Sequence, residues 1–381
     1  MYIVDMKRTP VGKFLGSLSG LSAPELAKPL FSYFLSKYPY LKNKTDEVVI
    51  GNVLSAGIGM NPARIAAMLG GVDESVPSYT VNHVCASGMN AIIQAFRSIR
   101  AGDTHIVLAG GMESMSQAPY LLKGARKGLK FGSQTLIDSL QHDGLYCSLC
   151  HGAMGVTAEN VAKKYAISRA SQDRYALSSH QKAVLAQEHR IFANEIIAIE
   201  ELKADECPRK ETSLEKLASL KAVFKDGGTV TAGNSSSIND GAALALLASE
   251  KAVQTYGLKP MARIIDYVFI GLKPELMGMG PKLAIEKLLK KNSLSLNDID
   301  LFEINEAFAS QILAVIQELK INDSKVNIYG GAIAFGHPLG MSGARIIGTL
   351  ITGLKQIKGK LGIASLCVGG GQGAAILLEN I

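Results

Sequence analysis

Twice along this chain an apolar strand runs into a short turn holding one reactive side chain, and an amphipathic helix leaves that turn. The first copy is Val76 to Val84, then Cys85, then a helix from Ser87 to Ile99 with Met89, Ile92, Ile93, Phe96 and Ile99 at helical spacing. The second is a strand over Val326 to Tyr329, then His337 among glycines, then a helix from about Ser342 with Ile346, Ile347, Leu350, Ile351, Leu354 and Ile357 on its apolar face. A unit of this kind buries its apolar faces only inside a layered α/β fold, so the repetition points to two similar α/β halves. The length agrees: 381 residues exceed the roughly 250–300 that one core supports.

Other segments keep the alternation. Glu47 to Leu54 reads as a strand, Pro62 to Leu69 as a helix, and His105 to Ala109 as a buried strand closed by Gly110-Gly111. Leu301 to Ile304 reads as a strand, Ala307 to Leu319 as a helix, and Leu361 to Val368 and Ala374 to Leu378 as strands. Between about 115 and 235 the texture changes to longer polar helices, such as Ala158 to Tyr165 and Ser171 to Glu188, which reads as a loop-rich insertion.

Composition narrows the function. Hydrophobic residues at 47% and charged residues at 19% exclude a disordered chain, and no apolar run reaches the 18 or so residues of a membrane span. Five scattered cysteines, an odd number, argue against a disulfide framework, and Tyr2-Ile3-Val4 opens the chain as a strand with no room for a leader, so a cytoplasmic protein is expected. The net charge of +7 peaks over Lys123–Lys130 and Lys203–Lys225, yet 6% aromatics, no Trp and no nucleic-acid motif argue against nucleic acid as the partner. Solvated loops or a phosphorylated small molecule remain.

Several constellations carry chemistry. Cys85 opens a helix, where unpaired N–H groups and the macrodipole favour the thiolate, and Ala86, Ser87 and Gly88 leave room beside it. In Gly336-His337-Pro338, the proline biases His337 toward extended backbone, and a histidine titrating near neutrality suits activation of a thiol. Cys367 ends a strand before Gly369-Gly370-Gly371, whose backbone N–H groups suit an oxyanion hole. A dinucleotide reading of Gly369, Gly371 and Ala374 fails because a strand, not a helix, follows. Asn305 lies where a strand meets a helix, fitting a helix cap or an oxyanion donor. Cys147-Ser148-Leu149-Cys150-His151 matches a haem-attachment pattern, but with no export signal and no second ligand pair, haem and zinc are both set aside.

Together these segments resemble the thiolase family along essentially the whole chain. The resemblance rests on Val81–Met89, Gly110–Ser116, Met154–Asn160, Thr231–Asn234, Asn305–Ala309, Gly330–Arg345 and Cys367–Gly373. It implies a five-layered α-β-α-β-α fold of two similar halves: 1–114 with 239–258, and 259–381, with a loop domain over 115–238. It further implies that Cys85 is the nucleophile carrying an acyl thioester. His337 would activate Cys85 and, with a water on Asn305, stabilise an oxyanion. Cys367 would be the acid/base, and the N–H groups of Cys85 and Gly369 the second oxyanion hole. Ser236 and Arg209 would contact coenzyme A, with Lys210 beside them, and Met154, Met277 and Phe308 would wall the acyl pocket.

The implied reaction is the reversible condensation of two acetyl-CoA to acetoacetyl-CoA and CoA. Coenzyme A is then a co-substrate, with no cofactor or metal, and the assembly a homodimer or homotetramer. A degradative 3-ketoacyl thiolase of broader chain length and a non-catalytic acyl-CoA or lipid binder are the alternatives. Three departures bear on them: Ala153 stands where the short-chain branch has histidine, Ser237 where glycine is usual, and the stretch from Tyr146 to Ala153, with its cysteines, is unusual.

Overall fold

In the computed structural model, which describes residues 1–381, the chain opens with β1 (Tyr2–Arg8), β2 (Gly12–Lys13), α1 (Ala23–Lys37), α2 (Leu41–Lys44) and β3 (Glu47–Gly51). It continues through α3 (Pro62–Leu69), β4 (Ser78–Val81), α4 (Ser87–Ala101) and β5 (Ile106–Ser114). Two small hairpins follow, β6 (Tyr120–Leu121) with β7 (Ile137–Asp138) and β8 (Tyr146–Cys147) with β9 (Gly152–Ala153). Helices α5 (Met154–Lys164), α6 (Arg169–Glu188) and α7 (Leu214–Ala218) complete this middle stretch. Then come β10 (Asn239–Ala248), α8 (Glu250–Tyr256), β11 (Ala262–Gly271), α9 (Gly280–Lys291), β12 (Leu301–Ile304) and α10 (Ala309–Leu319). The chain ends with α11 (Ala332–Phe335), α12 (Leu339–Ile357), β13 (Leu361–Val368) and β14 (Gln372–Asn380).

All ten residues of β10 and all nine of β5 are buried, the pattern of strands covered on both faces. The strands pair in the order β12-β13-β14-β11-β1-β10-β5-β3-β4, with β2 added to β10. The two halves of this sheet meet only where β1 touches β11, at Tyr2 opposite Arg263 and Ile3 opposite Ala262.

Alternation along each strand sorts the side chains into layers. Ile106 and Leu108 of β5 pack outward with α1, whereas Val107 and Ala109 pack inward against α4 and α12. In the other half Ile363 and Leu377 face α9 and α10, and Ala364, Leu366 and Ile376 face the same α4–α12 centre. The result is five layers, helix-sheet-helix-sheet-helix, with α4 and α12 between the sheets. This is the expected α/β arrangement.

Glycines let those two central helices cross closely. A Cβ on Gly88 would lie 2.7 Å from the Gly340 carbonyl oxygen, and one on Gly343 would lie 2.5 Å from the Met89 nitrogen. The N-terminal turns of α4 and α12 therefore lie together, and with them Cys85 and His337.

The structure corrects several expected boundaries. Gly110-Gly111 does not close its strand; β5 runs on to Ser114. These glycines are there because a Cβ on Gly110 would lie 2.0 Å from the Ala243 carbonyl, and one on Gly111 1.9 Å from that of Gly340. Val326 to Tyr329 is not a strand: Val326 makes a single bridge to Phe302, and Asn327 turns the chain at φ +45°. Asn327 instead closes off β12, its side chain accepting from the Ile304 N–H and donating to the Ile304 carbonyl. The last helix starts at Leu339 with Pro338 as its cap, three residues before the expected Ser342.

Between Ser114 and Asn239 the chain leaves the main sheet. A buried arginine pins this excursion: Arg8 of β1 pairs with Glu195 at 2.5 Å and with Asp205 at 2.6 Å.

Candidate active site

Cys85 sits in the turn between β4 and α4. The preceding residue, Val84, has φ +46°, a costly left-handed conformation for a β-branched residue. Local hydrogen bonds hold it there. Asn82 Oδ1 accepts from the Val84 N–H at 3.0 Å, and Ser87 Oγ donates to the Val84 carbonyl at 2.6 Å. The turn aims the thiol into a cavity of about 600 Å³, where it meets His337 and Cys367.

The backbone N–H groups of Gly369 and of Cys85 itself converge on the Cys85 sulfur. They come from two chain segments, one in each half of the fold. Burial nevertheless dominates them, and with Glu113 adding to it pushes the Cys85 thiol up to about 11. This reverses the expected lowering by the helix terminus: at neutral pH the resting group is a thiol.

His337 is also neutral, because burial, helped by the Arg345 charge, lowers it to about 3 rather than leaving it near neutrality as expected. Its tautomer follows from its partners. Ser342 Oγ donates to the Pro338 carbonyl at 2.7 Å, so it can only accept from His337 Nδ1, at 2.6 Å. Nε2 is left as the acceptor, with Asn305 Nδ2 at 3.5 Å. The His337 N–H donates to Asn239 Oδ1, which also accepts from Ser237 Oγ. Ser237 thus braces the histidine loop.

Asn305 is not a helix cap, since α10 begins at Ala309 with Phe308 as its cap. It is buried, and its Oδ1 has no protein partner. Cys367, the penultimate residue of β13 before the glycine run, is held far above the usual thiol range by burial and by the neighbouring Cys85. It packs with Met277, Ala307, Phe308 and Met154.

Most of the residues singled out in the sequence meet here. Cys85, His337, Cys367, Ser236, Arg209, Met154, Met277 and Phe308 line the cavity, while Asn305 stands behind His337. Gly369 approaches the Val84 and Met154 side chains; a Cβ there would lie 3.3 and 3.5 Å from them. Lys210 does not join: it is exposed and pairs with Glu188 at 3.1 Å. None of Lys123, Arg126, Lys127 and Lys130 lines the cavity, so that dense positive stretch is surface charge.

Other residues of the site carry no sequence signal. Lys13, Phe14 and His180 line the cavity from distant segments. Glu113 is fully buried and accepts from the N–H groups of Val53, Leu54 and Gly340, at 3.1, 3.1 and 2.9 Å. Burial outweighs these donors and raises it to about 7, close to Cys85. No group of three or more His, Cys, Asp or Glu side chains is arranged to hold a metal, and no helix is long and apolar enough to cross a membrane.

Comparison with known proteins agrees with this geometry across the chain. Residues 1–251 match the family described as thiolase, N-terminal domain, and residues 258–380 match thiolase, C-terminal domain. A Staphylococcus epidermidis protein named probable acetyl-CoA acyltransferase is 48% identical over 99% of this chain and 98% of its own length. A Staphylococcus aureus protein of the same name is 47% identical over 98% and 97%. The crystal structure of the Bacillus anthracis acetyl-CoA acetyltransferase superposes with a TM-score of 0.97 at 41% identity, covering 100% of this chain and 98% of that one.

Proposed function

The chain belongs to the thiolase family and is an acyltransferase, and from that premise we propose that it condenses two acetyl-CoA to acetoacetyl-CoA and CoA, reversibly, through an acetyl thioester on Cys85. The observation that carries this reading is the convergence of the Cys85 and Gly369 N–H groups on the nucleophilic sulfur, beside a neutral imidazole and a second thiol.

In the first half-reaction His337 Nε2 takes the Cys85 proton as sulfur attacks the thioester carbonyl. The oxygen that becomes negative settles on the two N–H groups. CoA leaves as a thiolate and takes the Cys367 proton. Cys367 is then a thiolate whose raised basicity suits the second half-reaction, removal of a proton from the methyl of a second acetyl-CoA. Its enolate oxygen is held by His337 and by a water on Asn305, and the carbon attacks acetyl-Cys85. Breakdown of that adduct expels Cys85 as a thiolate, which takes back the proton held on His337 Nε2, and frees acetoacetyl-CoA, with Cys367 keeping the methyl proton. Thioesters are electrophilic enough that no metal or organic cofactor is required, and CoA acts as co-substrate.

Arg209 and Lys13 at the cavity favour the phosphates of CoA, with Ser236 along the pantetheine arm. The named relatives support acetyl groups as cargo. Ala153, short and cavity-lining where histidine is usual in the short-chain branch, supports a second reading, thiolysis of longer 3-ketoacyl-CoA. The outer edge of β4 has no strand partner, which supports a homodimer or a tetramer built from dimers, as expected for a cytoplasmic member of the family. Intact-mass measurement after adding acetyl-CoA tests the core of the proposal: one acetyl group appears on the parent and none on Cys85→Ser. An unmodified parent overturns it in favour of a binding protein. Faster thiolysis of a long-chain 3-ketoacyl-CoA than of acetoacetyl-CoA replaces the short-chain reading.

A further inference from the structure

Cys147 and Cys150 take no part in the chemistry above, yet they are placed together. Cys147 ends β8, paired with Gly152 of β9, and the four-residue turn Ser148–His151 carries Cys150 back over it. His151 in that turn has φ +50°. Cys147 is 5% exposed, and its sulfur faces the Cys150 thiol together with the backbone N–H groups of Cys150, Leu149 and Gly370. Cys150 is half-buried, open to a small reagent.

The turn also touches the active site from outside. Leu149 lies against Gly370, where a Cβ would meet its Cδ1 at 3.8 Å, and Gly370 follows the Gly369 whose N–H faces Cys85. Directly after the turn come Ala153 and Met154, which line the cavity.

We propose that Cys147 and Cys150 form a dithiol that a peroxide closes into a disulfide within the turn, at the rim of the acyl pocket. Three features support it. The two cysteines are three residues apart on one hairpin, Cys147 at the end of β8 and Cys150 in the four-residue turn that follows it, so closing a disulfide requires movement of that turn alone. The roles are unequal: burial alone would raise Cys147, but the surrounding N–H groups and the Cys150 thiol overcome it and hold Cys147 below the usual thiol value. Cys150 is pushed up to about 11 by burial and by Cys147.

The chemistry balances with hydrogen peroxide as oxidant. The Cys147 thiolate attacks one peroxide oxygen, the O–O bond breaks, and hydroxide leaves to become water with the proton Cys147 gave up. Cys150 then attacks the sulfenic sulfur, the S–O bond breaks, and a second water departs with the Cys150 proton. Two thiols lose two electrons in total, and peroxide gains them.

Peptide mapping of the whole enzyme tests this. Trypsin cuts after Lys130 and Lys163 with no site between, so both cysteines fall in the one peptide 131–163, whereas Cys85 and Cys367 fall in two others. After brief hydrogen peroxide, alkylation and digestion, peptide 131–163 is expected two hydrogens lighter and unalkylated. Dithiothreitol restores two alkylated thiols. In Cys150→Ser, dimedone is expected to label Cys147 as its sulfenic acid, and in Cys147→Ser, Cys150 stays an alkylatable thiol. Peptide 131–163 keeping both thiols free while Cys85 and Cys367 oxidise overturns the proposal, as does dimedone labelling of Cys150 in place of Cys147. Neither readout depends on acyl transfer.

Discussion

The two cysteines of the site come from the two halves of the fold, and their surroundings differ where their work differs. Cys85 faces two backbone N–H groups; Cys367 faces only its own N–H and the neighbouring thiol. Negative charge can therefore form beside Cys85 at modest cost, while Cys367 holds its proton far more tightly. The difference teaches that a nucleophile and an acid/base of the same residue type can share a cavity and be told apart by how many dipoles point at each. Both lie behind a histidine that is equally starved of solvent.

Removing either cysteine breaks the comparison most sharply. Cys85→Ala is expected to abolish the acetyl adduct and lower condensation by about 10³-fold or more. Cys367→Ala is expected to keep the adduct and lose condensation by about 10²–10⁴-fold; surviving condensation assigns the base elsewhere. A smaller effect is expected from Ser342→Ala, which frees His337 Nδ1 and its tautomer. A fall of about 10–100-fold in kcat/KM, with the fold kept by circular dichroism, corresponds to one buried hydrogen bond.

Buried ionisable groups also make stability depend on pH. Burial raises Glu303 to about 8, with Arg345 opposing it, from an ordinary 4.5. The folded state then keeps a proton that the unfolded chain releases, so stability is lost as pH rises from 4.5 toward 8. His337, lowered to about 3 from 6.5, acts in the opposite sense: its contribution is present above 6.5 and lost as pH falls through that window. Above neutrality the Glu303 slope, at most about 1.4 kcal/mol per pH unit, outlasts that of Glu113, which is raised only to about 7. Glu303→Gln should flatten the fall in denaturation midpoint above neutral pH; an unchanged slope removes Glu303 as its cause.

The smallest effect is a flat line. A neutral thiol and a neutral imidazole do not titrate between about pH 5.5 and 8.5, so kcat/KM should show no step there from this pair. A clear step near 6.5 in kcat/KM, not in stability, would mean the resting pair is thiolate and imidazolium after all, and that the N–H groups outweigh burial.

Legibility in the sequence followed the range of the physics. Cys85, His337 and Cys367 were readable because each sits in a local arrangement of strand, turn and glycine whose meaning is short-range. Gly110-Gly111 misled for the same reason. Locally two glycines look like a stop, and only Ala243 and Gly340, far along the chain, explain them as room for a crossing backbone. Asn327 looks like part of a strand until its side chain is seen closing off Ile304. Charge states were the least readable. A helix terminus can be inferred from sequence, but the burial that overrules it at Cys85 comes from the whole assembly. Lys13 and Glu113 reach the site through tertiary folding alone.

Arg8 has a further consequence. The excursion between Ser114 and Asn239 supplies much of the cavity wall, including Met154, Phe224 and Arg209, yet none of the three reactive side chains. It is fastened to the rigid sheet by a two-pronged charged bolt, Glu195 on one side of the guanidinium and Asp205 on the other. An oily contact tolerates sliding, whereas such a bolt fits only one register. Selectivity can then drift by reshaping the bolted wall, residue by residue, while the machinery beneath keeps its alignment.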